Sequence, residues 1–171
     1  MLDSNINNYK LYTLTVALLC IGYFIDFYDL TIFYTSYTVI IKDLFNVHDT
    51  TAVQLLFLKI VNWTNAGIIV GGVIFGILGD KFGRTTIIRY SILLYSIAII
   101  ISCFVHSIPL FCLLRFIAGA GLATEFATSS VIISEMLPKQ LAIRTSGWLY
   151  FCGILGGVSA TFLSMLSWQV M

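Results

Sequence analysis

At 171 residues the chain is long enough for one modest soluble domain, but its composition excludes one: 59% of residues are hydrophobic and only 10% are charged, where a globular domain carries about 25% charge. Nine Lys and Arg against eight Asp and Glu leave a formal charge of +1, without the concentrated basic face that a nucleic-acid partner requires. Only two prolines interrupt the chain, so its apolar segments are free to run as long helices.

The first ten residues are mostly polar and carry one base, Lys10. The apolar run behind them is far longer than the hydrophobic region of a secretory signal, so a cleaved signal peptide is not expected. A bilayer core about 30 Å thick takes roughly 20 residues of helix. Five stretches of that kind follow in order. The first is 12–40, interrupted only by Asp26 and Asp29. The second is 53–79, with Lys59 near its start, and the third is 85–105. The fourth, 109–134, contains Arg115 and Glu125, and the fifth is 145–168. They are continuously apolar rather than alternating, which disfavours a β-barrel. The expected fold is all-α: a polytopic membrane helical bundle of five transmembrane helices, forming a single transmembrane domain over 1–171.

Small residues recur at helix-contact spacing: Gly67, Gly71, Gly72, Gly76 and Gly79 in the second span, Gly119 and Gly121 in the fourth, Gly153, Gly156 and Gly157 in the fifth. In lipid, where no hydrophobic force drives helices together, such residues let backbones approach closely. Cys20, Cys103, Cys112 and Cys152 lie in apolar segments without metal-ligand spacing and read as packing residues. His48 and His106 stand alone in loops, and no metal site or catalytic set is expected. The absence of a metal cluster, a phosphate-binding loop or a nucleophile–base pair argues against an enzyme.

Orientation follows from the bases in the short loops. Placing the N-terminus in the cytoplasm gathers Lys10, Lys81, Arg84, Arg89, Lys139 and Arg144 on that side and leaves Lys42 and Lys59 outside. The expected setting is the plasma membrane.

Between the second and third spans the sequence reads Gly76-Ile-Leu-Gly79-Asp80-Lys-Phe-Gly83-Arg84. Gly83 supplies a tight turn. Asp80, at one helix end, and Arg84, four residues on, are placed to bridge it. This stretch resembles the G-x-L-x-D-x-x-G-R signature of the major facilitator superfamily, in the corresponding loop. Arg115-Phe-Ile-Ala-Gly119-Ala-Gly121 resembles the R-x-x-x-G-x-G stretch in the fourth helix of its sugar and metabolite symporters, and Ser134-Glu135-Met-Leu-Pro138 resembles the S-E-x-x-P that follows. The chain departs from that pattern after Pro138. Ala142 and Ile143 stand where those families place Arg-Gly, and the base comes at Arg144. The first span, with Asp26 and Asp29, resembles the first helix of metabolite/proton symporters. The resemblance implies the N-terminal part of a fold with two six-helix halves and the substrate between them. It also implies a cytoplasmic gating motif of Gly76, Asp80, Gly83, Arg84, Glu135 and Arg144.

Ionisable residues within a span are functional candidates, because each costs at least about 2.5–3.5 kcal/mol at the helix centre. At 1.5 Å per residue, Asp26 and Asp29 lie about 21 and 25 Å from the inner face, and Arg115, on a helix running the other way, about 21 Å from it. Asp26 and Asp29, three residues apart, share a helix face. The resemblance pairs a first-helix Asp with a fourth-helix Arg at positions matching Asp29 and Arg115, so these with Asp26 are the proton-coupling candidates. Glu125, about 24 Å below the outer face, is a cavity or charge-pair candidate. The expected function is the N-terminal portion of a secondary active transporter, a proton-coupled symporter of a small organic solute such as a sugar or organic acid. The proton is the coupling ion and there is no other cofactor. The lipid bilayer, the solute and a separately encoded second half are the partners. The alternative is a truncated, transport-incompetent remnant, or a small membrane protein acting only through packing with a partner.

Overall fold

The computed structural model describes residues 2–170, with side chains described over 12–166 except at Met136. The side chain of Lys10, counted above for orientation, lies outside them. Five helices follow in order: α1 (Leu2–Phe45), α2 (Thr50–Phe82), α3 (Arg84–Ser102), α4 (Ile108–Met136) and α5 (Lys139–Val170). No strand occurs among the described residues. All five are long and apolar enough to cross a membrane. The shortest, α3, has 19 residues, a length of about 28 Å that just matches a bilayer core.

Local chemistry ends each helix. Asn46, with φ 53°, takes the left-handed conformation that terminates α1, a role that Asn tolerates better than most residues. The carboxylate of Asp49 then accepts the Ala52 amide at 3.2 Å and caps α2. A single residue, Gly83, joins α2 to α3. Its φ of 88° and ψ of 132° suit glycine alone. The carbonyl of Ser107 accepts the Phe111 amide and opens α4; Pro109 falls in the first turn, where a missing N–H costs nothing. Pro138 lies beyond the end of α4, and its carbonyl accepts the Ala142 amide to open α5. In consequence α5 begins at Lys139, ahead of the expected start near 145, and Arg144 belongs to its second turn rather than to a loop.

The chain divides into two compact units, Met1–Thr35 with Ser129–Met171, and Ser36–Thr128. In the first, α1 packs on α5. A Cβ on Gly156 would collide with the Phe24 carbonyl, one on Gly153 would sit 2.8 Å from the Phe27 ring, and one on Gly157 would be 3.1 Å from Thr31 Oγ1. Tyr23 meets Tyr150 edge to face, with centroids 6.1 Å apart. The partner on α5 advances as one moves from Phe27 to Thr31, so the two helices run parallel.

In the second unit α4 is held on two sides. Toward α2, a Cβ on Gly67 would strike the Phe116 backbone, one on Gly71 would strike Ala120, and one on Gly119 would strike the Thr64 carbonyl. Toward α3, a Cβ on Gly121 would lie 2.9 Å from the Ser91 carbonyl and from Tyr95 Cβ. Gly67-xxx-Gly71 against Phe116-xxx-Ala120 is a parallel small-residue contact of the membrane type. Edge-to-face rings of Trp63 and Phe116, with centroids 6.0 Å apart, extend it, and Phe45 at the end of α1 meets Phe111 of α4 in the same way at 5.5 Å. The buried hydroxyls of Thr64, Ser91 and Thr124 donate to carbonyls of their own helix, Ile60, Ile88 and Ala120. That satisfies them without gluing helices together.

Candidate functional site

The charged turn is built as its spacing suggests. With Gly83 alone between the helices, Arg84 opens α3 and reaches back to Asp80, Nη2 to Oδ1 at 3.0 Å. Lys81 Nζ lies 5.5 Å from the centre of the neighbouring Phe82 ring. Gly76 faces open space, with nothing within 4 Å of where a Cβ would be. It is therefore not one of the close-contact glycines in this structure. Glu135 closes α4 and Arg144 sits on α5, both exposed and both in the first unit, whereas Asp80, Gly83 and Arg84 belong to the second.

The R-x-x-x-G-x-G stretch acquires a physical reason. Gly119 and Gly121 are two residues apart, about 200° around the helix, so they open opposite sides of α4, one to α2 and the other to α3. Helix α4 is the most enclosed of the five, with 67% of its most apolar window buried against 17–28% for the others. Arg115 lies one turn before Gly119 and is half-buried. Its guanidinium carbon sits 5.5 Å from the centre of the Phe111 ring, one turn earlier still, a cation–π arrangement that holds a charge in an apolar setting. Glu125, one turn beyond Gly121, is buried at 6% exposure.

On α1 the two acids differ. Asp26 is 2% exposed and lies in a buried stripe with Tyr23 and Phe33. Asp29 is displaced from it by about 60° around the helix and is only half-buried. Sharing a helix face thus leaves one carboxylate enclosed and the other half-buried. Among the aromatics that follow, Tyr37 stacks on Phe57 with centroids 4.1 Å apart, and Tyr34 is exposed. Asp26 and Asp29 belong to the first unit, and Arg115 and Glu125 to the second. Among the described residues, no three His, Cys, Asp or Glu side chains gather as a metal site.

Tyr23 is missed by sequence reasoning, although it is among the largest fully buried side chains. Its spacing of three from Asp26 was the available signal.

Residues 19–171 match the family described as Major Facilitator Superfamily, and the chain belongs to that family. It is 27% identical over 154 residues to the sialic acid transporter NanX of Escherichia coli, covering 87% of this chain and 36% of the relative. A protein of Haemophilus influenzae named "Putative metabolite transport protein" is 28% identical over 156 residues, covering 88% of this chain and 37% of that one. Organic anion transporter 3 of Mus musculus is 32% identical over 126 residues, 61% of this chain and 24% of the relative. The chain spans about a third of the length of the first two relatives. Family and relatives alike point to a transporter and away from an enzyme.

Proposed function

We propose that this chain forms the N-terminal portion of a proton-coupled symporter for a small organic solute, with both charged turns on the cytoplasmic side. The relatives' names place sialic acid and organic anions among the solutes that such proteins carry, and a small organic acid is the class favoured for this chain. The other partner is the remainder of the carrier, on the same or a separately encoded chain.

The observation that carries the reading is the contrast on α1. A proton site must exchange its proton with water, and it must also feel a surrounding that changes the cost of ionisation. Asp29, half-buried, is the acid to which this reading assigns both demands. Asp26, enclosed at 2% exposure, meets only the second and is the secondary acid. Arg115 is the membrane-embedded cation of the proposal, and Glu125 a further intramembrane acid. Asp80, Gly83 and Arg84 serve the conformational cycle rather than solute recognition, as do Gly76, Glu135 and Arg144.

The test uses a full-length carrier containing this segment, reconstituted in vesicles with a pH gradient. Asp29→Asn cannot titrate; it is expected to abolish uphill accumulation while solute exchange survives. Asp26→Asn is expected to be milder. The depth-based pairing of Asp29 with Arg115 is read from Asp29→Asn combined with Arg115→Ala, which should be no worse than the more damaging single change. Accumulation retained by Asp29→Asn and lost by Asp26→Asn would assign coupling to the other acid. Accumulation unaffected by either would remove proton coupling from this part of the carrier.

A further inference from the structure

Helix α3 is just long enough for a bilayer core, so its first turns lie at the membrane surface with no length to spare. One of its faces is fixed by packing. Ser91 and Tyr95 lie against Gly121 of α4, and Ala98 continues that buried face. Arg89 stands two residues before Ser91, about 200° around the helix, and is exposed. It heads the opposite row, Arg89–Leu93–Ile97, whose two apolar members are 57% and 53% exposed.

Arg89 lies five residues, about 7.5 Å, beyond the first residue of α3, a depth at which a bare guanidinium is costly. The side chain folds back instead. Its Nε donates to the Thr85 carbonyl at 3.2 Å, one turn nearer the charged end, so the long stem snorkels toward the surface. Among the described residues no ion pair holds Arg89. The carboxylate at that end, Asp80, is bound by Arg84, which leaves their pair neutral. Lys81, exposed in the last turn of α2, adds another cation at the same end. Lys81 and Arg89 are thus an excess of positive charge that the acid of the turn does not balance.

We propose that Arg89, Lys81 and the exposed hydroxyl of Thr85 hold the phosphate headgroup of an anionic phospholipid, with its acyl chains along Leu93 and Ile97. The guanidinium and the hydroxyl donate to phosphate oxygens, and the ammonium acts as a point charge. Charge complementarity selects the lipid class. A zwitterionic lipid brings a cation of its own beside the phosphate, whereas phosphatidylglycerol brings a net negative charge. The site depends neither on proton coupling nor on which side of the membrane the turn faces.

The unaltered chain is placed in phosphatidylcholine nanodiscs doped with a phosphatidylglycerol that carries a photoactivatable diazirine in one acyl chain. After irradiation the adducts are mapped by mass spectrometry. Label is expected to concentrate in residues 90–97, and a phosphatidylcholine probe with the same chains should not concentrate there. Soluble glycerol phosphate in large excess should leave the label in place; displacement would make this a site for free phosphate esters and overturn the proposal. Titrating the mole fraction of the probe gives its affinity. A cation near the surface is worth about fivefold toward an anionic lipid, so Arg89→Gln should weaken binding about fivefold and its combination with Lys81→Gln about 25-fold. Arg89→Lys, which keeps the charge, should retain most of the affinity. Lys42→Gln, the same loss of charge at the end of α1, should have no effect. Equal labelling by the two probes, label spread evenly over the five helices, or equal losses from Arg89→Gln and Lys42→Gln would each overturn the proposal, and the first two readouts need no variant to fold.

Discussion

Arg84 turns back across Gly83 to place Nη2 3.0 Å from Asp80 Oδ1, joining the first residue of α3 to the last turn of α2. The Asp80 side chain is 71% exposed and that of Arg84 35%, so the pair contributes at most about 1 kcal/mol to stability. Asp80→Asn is accordingly expected to leave thermal stability in detergent almost unchanged. In a full-length carrier it should slow transport while solute binding stays within about twofold. Lost binding with a normal residual rate would contradict the assigned role.

Gly83→Ala should behave in the opposite way. At φ 88° and ψ 132° any Cβ is strained, at a cost of about 1–3 kcal/mol, although nothing lies within 4 Å to obstruct it. The penalty is purely conformational. It should appear as a lower midpoint in a thermal size-exclusion assay, and Gly76→Ala, equally unobstructed and helical, should not reproduce it.

Gly67→Ala and Gly119→Ala are expected to destabilise by about 1–3 kcal/mol each, because the added methyl would meet backbone atoms of Phe116 and Thr64 that cannot swing aside. Gly72→Ala, where the nearest atom is 3.9 Å away, should be neutral or slightly stabilising through helix propensity. Monodispersity after heating separates these outcomes.

Orientation is read by cysteine labelling in a background stripped of native thiols. An impermeant maleimide added outside intact cells should reach probes at His48 and His106, both in connecting segments, and fail to reach probes at Lys81 and Lys139. The reverse pattern would invert the basic-residue argument.

Hydropathy made the five helices legible, because transfer into lipid depends on composition and length. The glycine at the tight turn was legible as well, since so short a link needs a residue free of a Cβ. Rotation about the helix axes was not legible. In a membrane both the lipid-facing and the protein-facing sides are apolar, so nothing in the spacing of Asp26 and Asp29 distinguishes the enclosed acid from the half-buried one. The start of α5 was obscured for a related reason: Lys139 and Arg144 look like a loop by polarity, whereas Pro138 begins the helix by backbone geometry.

Because Gly119 faces α2 and Gly121 faces α3, α4 is keyed in angle as well as in depth. Inserting or deleting one residue between them would turn everything downstream on the helix by about 100°, carrying Gly121 off its seat and Glu125 with it. The connecting segment 103–107 has no such phase to keep. Length changes in this stretch of chain should therefore be rejected inside α4 and accepted a few residues upstream, a contrast that a library of single-codon insertions would display.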